Sequence, residues 1–163
     1  MAVREIRIEG DPILSKTSKE VREMTPRIKE LIQDMWDTMY DADGVGLAAV
    51  QVGILRRIFV IDDYDGHKCV LINPVKISEE GEQEGSEGCL SVPGKAGKVL
   101  RPMKVVFEGL NEEMQPVRIE GEGLFARALC HENDHLDGHL YVEKAIGGVY
   151  DVEEEADGGE TEE

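Results

Sequence analysis

No apolar run in this chain approaches the roughly 20 residues that a helix needs to span a bilayer. Its first residues, Met1-Ala2-Val3-Arg4-Glu5-Ile6, mix charges from the start and lack the apolar core of a secretion signal. Cysteine is scarce: Cys69, Cys89 and Cys130 make an odd number without framework spacing. That excludes a disulfide scaffold and fits a reducing compartment, where thiols stay free to bind metal. A cytoplasmic location is expected. Basic side chains are scarce too, 18 Lys and Arg against 35 Asp and Glu, for a formal charge of −17. Of that, −8 lies in residues 151–163, which contain no base, leaving −9 for residues 1–150. Neither part offers the basic surface that nucleic acid requires. The sequence is therefore read as a domain over residues 1–150 and an acidic, solvated and disordered tail over 151–163. With 163 residues, one domain with a real core is expected rather than two.

What is present centres on His131-Glu132-Asn133-Asp134-His135, an H-E-x-x-H motif in an apolar-patterned run between Gly123 and Gly138. On a helix, residues four apart share a face with Cβ atoms about 5–6 Å apart, so both imidazoles can reach one metal ion. Glu132 lies beside them, free to handle a proton. Two histidines are too few. Cys89, preceded by Gly88 in Glu87-Gly88-Cys89-Leu90-Ser91-Val92-Pro93-Gly94, is the candidate third ligand, against the plainer reading of a core thiol. No histidine follows at the metzincin spacing; His139 and His67 read as surface or structural residues.

Around these residues the chain reads as α+β: antiparallel or mixed β-sheets packed around a central helix carrying H-E-x-x-H, plus an N-terminal helix. Residues 3–8 suggest an edge strand or an arm laid on the core. Thr25-Pro26 is a helix start, and Ile28, Leu31, Ile32, Met35 and Met39 continue at helical spacing to about Ala42. Arg57–Asp62 with Cys69–Pro74, and Lys104–Gly109 with Pro116–Glu120, predict two hairpins. Glu79–Gly85 reads as an acidic loop. Cys69 reads as an inert core thiol and Trp36 as core or rim. Gly44-Val45-Gly46-Leu47-Ala48-Ala49-Val50-Gln51 reads as a loop of small residues. Gln51 stands out there as a lone amide closing an apolar run, and no Lys-Ser/Thr pair supports a phosphate loop.

Gly44–Gln51, Glu87–Ser91 and His131–His135 together, in this order, resemble the three signature motifs of the peptide deformylase family, bacterial or organellar type. The similarity runs from about residue 3 to about residue 146. The resemblance implies hydrolytic removal of the formyl group from the N-terminal formyl-methionine of nascent polypeptides, releasing formate. It implies Cys89, His131 and His135 as ligands of one divalent metal, Fe2+ in the cell with Zn2+, Ni2+ or Co2+ able to substitute. Glu132 is then the acid–base residue, and the Gln51 amide and Leu90 backbone N–H receive charge on the formyl oxygen. By the same resemblance Val45, Gly46 and Gly88 contact a substrate chain lying as an added strand, and Ala128 lines the methionine pocket, where some members carry cysteine. Glu87 is expected to pair with Arg101 and fix the Cys89 loop. Ala96 stands where some members have a substrate-holding arginine. Cys130 is not expected to be a ligand. Some relatives end in a basic helix that touches the ribosome; this chain ends in acids, leaving at most a transient contact. No nucleic-acid or membrane partner is expected, and the chain is expected as a monomer or weak dimer. The rival readings are a thiolate-ligated metalloprotease cutting ordinary peptide bonds and a catalytically silent, metal-stabilised binding domain.

A thiolate ligand makes an iron site sensitive to oxygen, and Cys89 itself is oxidisable. Activity in air is expected to decay faster for the iron-loaded than for the nickel- or zinc-loaded protein. Equal aerobic lifetimes for iron and nickel forms would contradict this.

Overall fold

The computed structural model describes residues 2–152. The N-terminal stretch is an arm rather than a strand. Its amides bond outward to the body, Arg4 to Thr38 Oγ1 at 2.8 Å, Arg7 to the Gln51 carbonyl at 2.7 Å and Glu9 to the Ser91 carbonyl at 2.7 Å. Helix α1 spans Pro26–Asp41, and Thr25 Oγ1 accepts from the Ile28 amide at 3.2 Å as the predicted cap.

Five strands form one antiparallel sheet: β1 (Gly46–Ala48), β2 (Ile58–Asp62), β3 (Lys68–Glu80), β6 (Lys104–Leu110) and β7 (Pro116–Glu122), in the order β1-β2-β3-β6-β7. Both predicted hairpins are there, with Asp62 opposite Lys68 and Leu110 opposite Pro116. A second antiparallel sheet holds β4 (Gln83–Cys89), β5 (Val92–Arg101) and β8 (Ile146–Asp151), in the order β4-β5-β8. Within the sheets every pairing is antiparallel; the parallel contact is an isolated bridge between Lys19 and Arg56.

The sheet explains why β2 is apolar at four consecutive positions. Phe59 and Ile61 pack with Ala126, Leu129 and Leu136 of helix α2 (Leu124–Leu136), whereas Ile58 and Val60 pack with Leu31, Met35 and Met39 of α1. Alternate side chains of a strand point to opposite faces, so both faces of β2 are covered by a helix. The same alternation continues through Leu47 and Ala48 of β1. A smaller cluster of Val92, Val99, Leu140 and Tyr141, with Cys89 against it, lies at the second sheet.

Three expectations are corrected. Glu79–Gly85 is not a loop: β3 runs through Pro74 to Glu80, and β4 begins at Gln83. Its acidic, exposed side chains hide strands stabilised by pairing with Lys104 and Arg101 in neighbouring strands. Gly44–Gln51 is not simply a loop, since it contains β1 and a buried 3-10 turn over Ala49–Val52. Asp151, assigned to the tail, closes β8 and pairs with Lys95 Nζ at 2.9 Å. The expectation of a disordered tail otherwise falls on residues 153–163, outside the described residues. Among the described residues no helix is long and apolar enough to cross a membrane.

Gly138 ends the segment carrying H-E-x-x-H with φ +84°, and a Cβ there would lie 2.6 Å from the Ser15 carbonyl oxygen. Left-handed backbone costs an L-residue about 1–2 kcal/mol, and the clash adds to it. Gly138→Ala is expected to lower unfolding stability by at least about 1 kcal/mol in urea denaturation. An unchanged midpoint would show that this turn is not fixed.

Candidate metal centre and substrate cleft

Helix α2 carries His131, Glu132 and His135, all buried. Cys89 ends β4 where the β4–β5 hairpin turns through Leu90 and Ser91. The two sequence-distant pieces meet: ligand atoms of Cys89, His131 and His135 all lie within 4.8 Å of one another. Cys89 Sγ is 3.4 Å from His135 Nε2, and the Ser91 amide approaches the same sulfur at 3.4 Å.

A buried carboxylate orients one ring. Glu87 Oε1 lies 2.9 Å from His131 Nδ1, which leaves Nε2 as the nitrogen available to an ion. Arg101 holds Glu87 with both arms of its guanidinium, at 2.7 and 2.9 Å, as expected from the sequence. Arg127 Nη1 adds a third hold on Glu87 at 2.8 Å. Arg101 also reaches Asp134 Oδ2 at 2.8 Å, tying β5 to the helix inside the motif, and Lys144 Nζ joins Asp134 at 3.0 Å.

Burial by itself would raise the Glu87 pKa, but Arg101 and His131 overcome it and hold the carboxyl well below the usual range. Burial likewise opposes a charge on His131, yet Cys89 and Glu87 outweigh it and raise that ring's pKa. His135, buried and next to His131, is shifted down. Glu132 is pushed up to about 7, chiefly by burial. Its Oε1 is buried without a partner among the described residues. One sulfur and two imidazole nitrogens suit a borderline-soft transition metal better than Mg2+ or Ca2+. The donor set, the carboxylate behind His131 and the unpartnered acid beside it fit a catalytic ion.

The remaining predicted residues surround these. Gln51 is almost fully buried; its Oε1 accepts from the Ala48 amide at 2.9 Å, and its Nε2 donates to Ser91 Oγ at 3.0 Å and lies 3.6 Å from Cys89 Sγ. Gly46 lets Glu132 in: a Cβ there would be 2.5 Å from Glu132 Oε2. Val45, Gly46, Gly88, Leu90 and Ala128 all line one cleft of about 600 Å³ that reaches Gln51, Cys89, His131 and Glu132. Cys130 packs into the core between α2 and the sheet, where burial raises its pKa. Cys69 is pushed up to about 12, also by burial, as expected of an inert thiol. His67 stacks on Phe125, and exposed His139 pairs with Glu143. Ala96, in the place of a substrate-holding arginine, is buried and sits opposite Tyr150 of β8.

Sequence reasoning missed three participants. Arg127 is a charged residue within the otherwise apolar Leu124–Cys130, a visible anomaly. Ser91, fully buried, receives the Gln51 amide, and Asp134 occupies a free position of the motif. For these two a serine and an aspartate beside known motifs gave no signal.

The sequence matches the family model for polypeptide deformylase over residues 3–148. The chain belongs to that family. It is 60% identical over 152 residues to the peptide deformylase of Agathobacter rectalis, covering 93% of this chain and 96% of that protein. It is 57% identical to that of Acetivibrio thermocellus over 146 residues, 90% of this chain and 85% of that protein. Among solved structures, the peptide deformylase of Legionella pneumophila superposes with a TM-score of 0.85 at 44% identity, covering 88% of this chain and 86% of that one. The Synechococcus elongatus enzyme in complex with actinonin gives 0.84 at 39% identity, covering 88% and 79%. Deformylases remove the N-terminal formyl group from nascent peptides by metal-dependent hydrolysis, and the chain is an enzyme of this kind.

Because Arg101 joins Glu87 to Asp134, its loss unties both the ring of His131 and the Cys89-bearing strand. Outer partners of this type are worth about 10–100-fold in metal affinity. Arg101→Glu is expected to retain less metal after dialysis, measured by elemental analysis. Unchanged metal content would remove the pairing from the account.

Proposed function

We propose that Cys89, His131 and His135 hold one divalent metal, Fe2+ in the cell and replaceable by Zn2+, Ni2+ or Co2+, and that the protein deformylates N-formyl-methionyl peptides in the cytoplasm. The observation carrying this is the convergence of Cys89 Sγ with the two histidine nitrogens within 4.8 Å, beside a buried acid. A metal so bound supplies Lewis acidity, lowering the pKa of a water from 15.7 toward about 7 and polarising the formyl oxygen.

The chain's own residues do the rest. Glu132 takes the proton from the attacking water and hands it to the departing amine, leaving formate. Burial raises the pKa of this carboxyl above that of an exposed glutamate, which favours its accepting the proton that it then hands on. The Gln51 amide and the Leu90 N–H donate to the oxygen as negative charge builds on it. Gln51 is prepared for this because Ala48 fixes its oxygen, which turns its nitrogen toward Cys89. Gly88 and Val45 offer backbone to an extended substrate, and Gly46 keeps the space that Glu132 fills. The methionine side chain enters the side of the cleft lined by Leu124, Ala128 and His131.

The catalytic domain occupies residues 1–150 together with Asp151, which closes β8, and the acidic remainder of the chain takes no part in the chemistry. Contact with the ribosome is transient, since the tail is acidic rather than basic, and the chain acts as a monomer or weak dimer. The metalloprotease reading is distinguished by substrate.

Protein purified without oxygen is expected to release formate from formyl-Met-Ala-Ser and to leave unblocked peptides intact; the reverse pattern would overturn the proposal. Glu132→Ala is expected to abolish turnover while metal content stays near one per chain. Gln51→Ala is expected to lower turnover about 10²–10³-fold, the usual loss for one oxyanion donor. Full activity in either variant would reassign the role.

A further inference from the structure

Two carbonyls beside the cleft lie where their own elements offer them no partner. In the 3-10 turn Ala49–Val52, the carbonyls of Ala49 and Val50 take the amides of Ile54 and Gly53, which leaves the Gln51 carbonyl outside the turn's own bonds. Ser91 stands in the short turn between Cys89 and Val92, the last pair of the β4–β5 hairpin. Both carbonyls are taken by the N-terminal arm: the Arg7 amide donates to Gln51 and the Glu9 amide to Ser91, each at 2.7 Å.

Alternate amides of an extended chain point the same way, roughly 6.5 Å apart, so residues 7 and 9 present one edge and Ile8 the other. The Ile8 amide accordingly makes no hydrogen bond among the described residues. The arm is fastened on both sides of its bonding edge. Arg4 binds α1 through its amide, to Thr38 Oγ1 at 2.8 Å, and through Nε, to Asp34 Oδ2 at 2.9 Å. The Arg7 guanidinium pairs with Asp11 at 2.9 Å and lies against Gly53, where an added Cβ would be 2.8 Å from Nη2.

What this edge joins is the pair of segments that carry the oxygen-binding groups. The Gln51 amide comes from one segment, and the Leu90 N–H and the Cys89 sulfur come from the other. Gln51 Nε2 crosses to Ser91 Oγ at 3.0 Å, so the side chains bridge where the arm bridges the backbones. A donor helps the reaction only if it is already in place when charge develops, and a displacement of about 1 Å can cost about 10²-fold.

We propose that the arm is a positioning element for the reaction: the main-chain amides of Arg7 and Glu9 fix the Gln51 amide at its place opposite the Leu90 turn. The proposal rests on the role given above to Gln51, and the assay lets the two fail separately.

Full-length, metal-loaded protein is assayed on formyl-Met-Ala-Ser with proline at each of three successive positions, since proline carries no N–H. Arg7→Pro and Glu9→Pro each remove one bridging bond. Each is expected to lower kcat about tenfold or more and to move KM far less, because the donor acts on the transition state. Ile8→Pro imposes the same ring without removing a bond and is expected to keep kcat within about twofold of the wild type. Values are expressed per bound metal, so that a lost ion does not imitate a misplaced donor. The same prolines are then placed in Gln51→Ala. A residue that acts through Gln51 has nothing left to displace there, and the further loss is expected to shrink to about threefold or less. Wild-type kcat in Arg7→Pro and Glu9→Pro, an equal loss in Ile8→Pro, or an undiminished loss in the Gln51→Ala background would overturn the inference alone. Full activity in Gln51→Ala would overturn the role of Gln51 and the inference with it. Should the proline variants not fold, Thr38→Val takes their place. It removes the acceptor of the Arg4 amide and is expected to lower kcat severalfold, and an unchanged kcat there would overturn the inference.

Discussion

The buried carboxylate of Glu87 is the point through which the rest of the site is aligned. It meets His131 on one oxygen, Arg101 on both and Arg127 on the other, all within 2.9 Å. One anion and two guanidiniums removed from water are expensive, and an arrangement of that type persists only when its donors and acceptors are matched in number and direction. Here the match joins three elements. Glu87 comes from β4, Arg101 from β5, and Arg127 and His131 from α2. The polar cluster is what sets the small sheet on the helix in one register, because apolar packing alone tolerates sliding and a bidentate pair does not.

Two residues downstream of Glu87 on the same strand stands Cys89. The chain geometry therefore delivers sulfur to the histidines by the same contact that orients one of them. The helix contributes two nitrogens at fixed spacing, and the strand contributes one sulfur at a distance set by Glu87. Gly46 and Gly85 do the opposite work, leaving space where Glu132 and Arg127 must lie. A site assembled this way couples orientation of the candidate metal-binding side chains, placement of the buried acid and shape of the cleft in one set of contacts.

Much of this was legible beforehand wherever a single element carries the information. The capped start at Thr25, the helical spacing to Met39, both hairpins and the run ending at Gly138 depend on local periodicity and local backbone preference, and they stand as read. The readings that failed are those where pairing overrides composition. Glu79 and Glu80 belong to an exposed strand because Lys104 and Val105 lie opposite them, a partner more than twenty residues away. Leu47–Gln51 is buried because two helices close over β1 and β2, which its small side chains permit but do not announce.

The sequence by itself determined the chemistry available: two imidazoles one turn apart, an acid between them, a thiol after a glycine and an amide at the end of an apolar run. These depend on covalent spacing and on the 3.6-residue turn, which are local. Only the tertiary structure decided that Arg127 and Ser91 belong to the site, that His131 offers Nε2 rather than Nδ1, and that the sulfur reaches the rings at all. Each of those is a contact between residues some 40 positions apart, fixed by burial of charge and by the pairing of strands, and no local rule contains it.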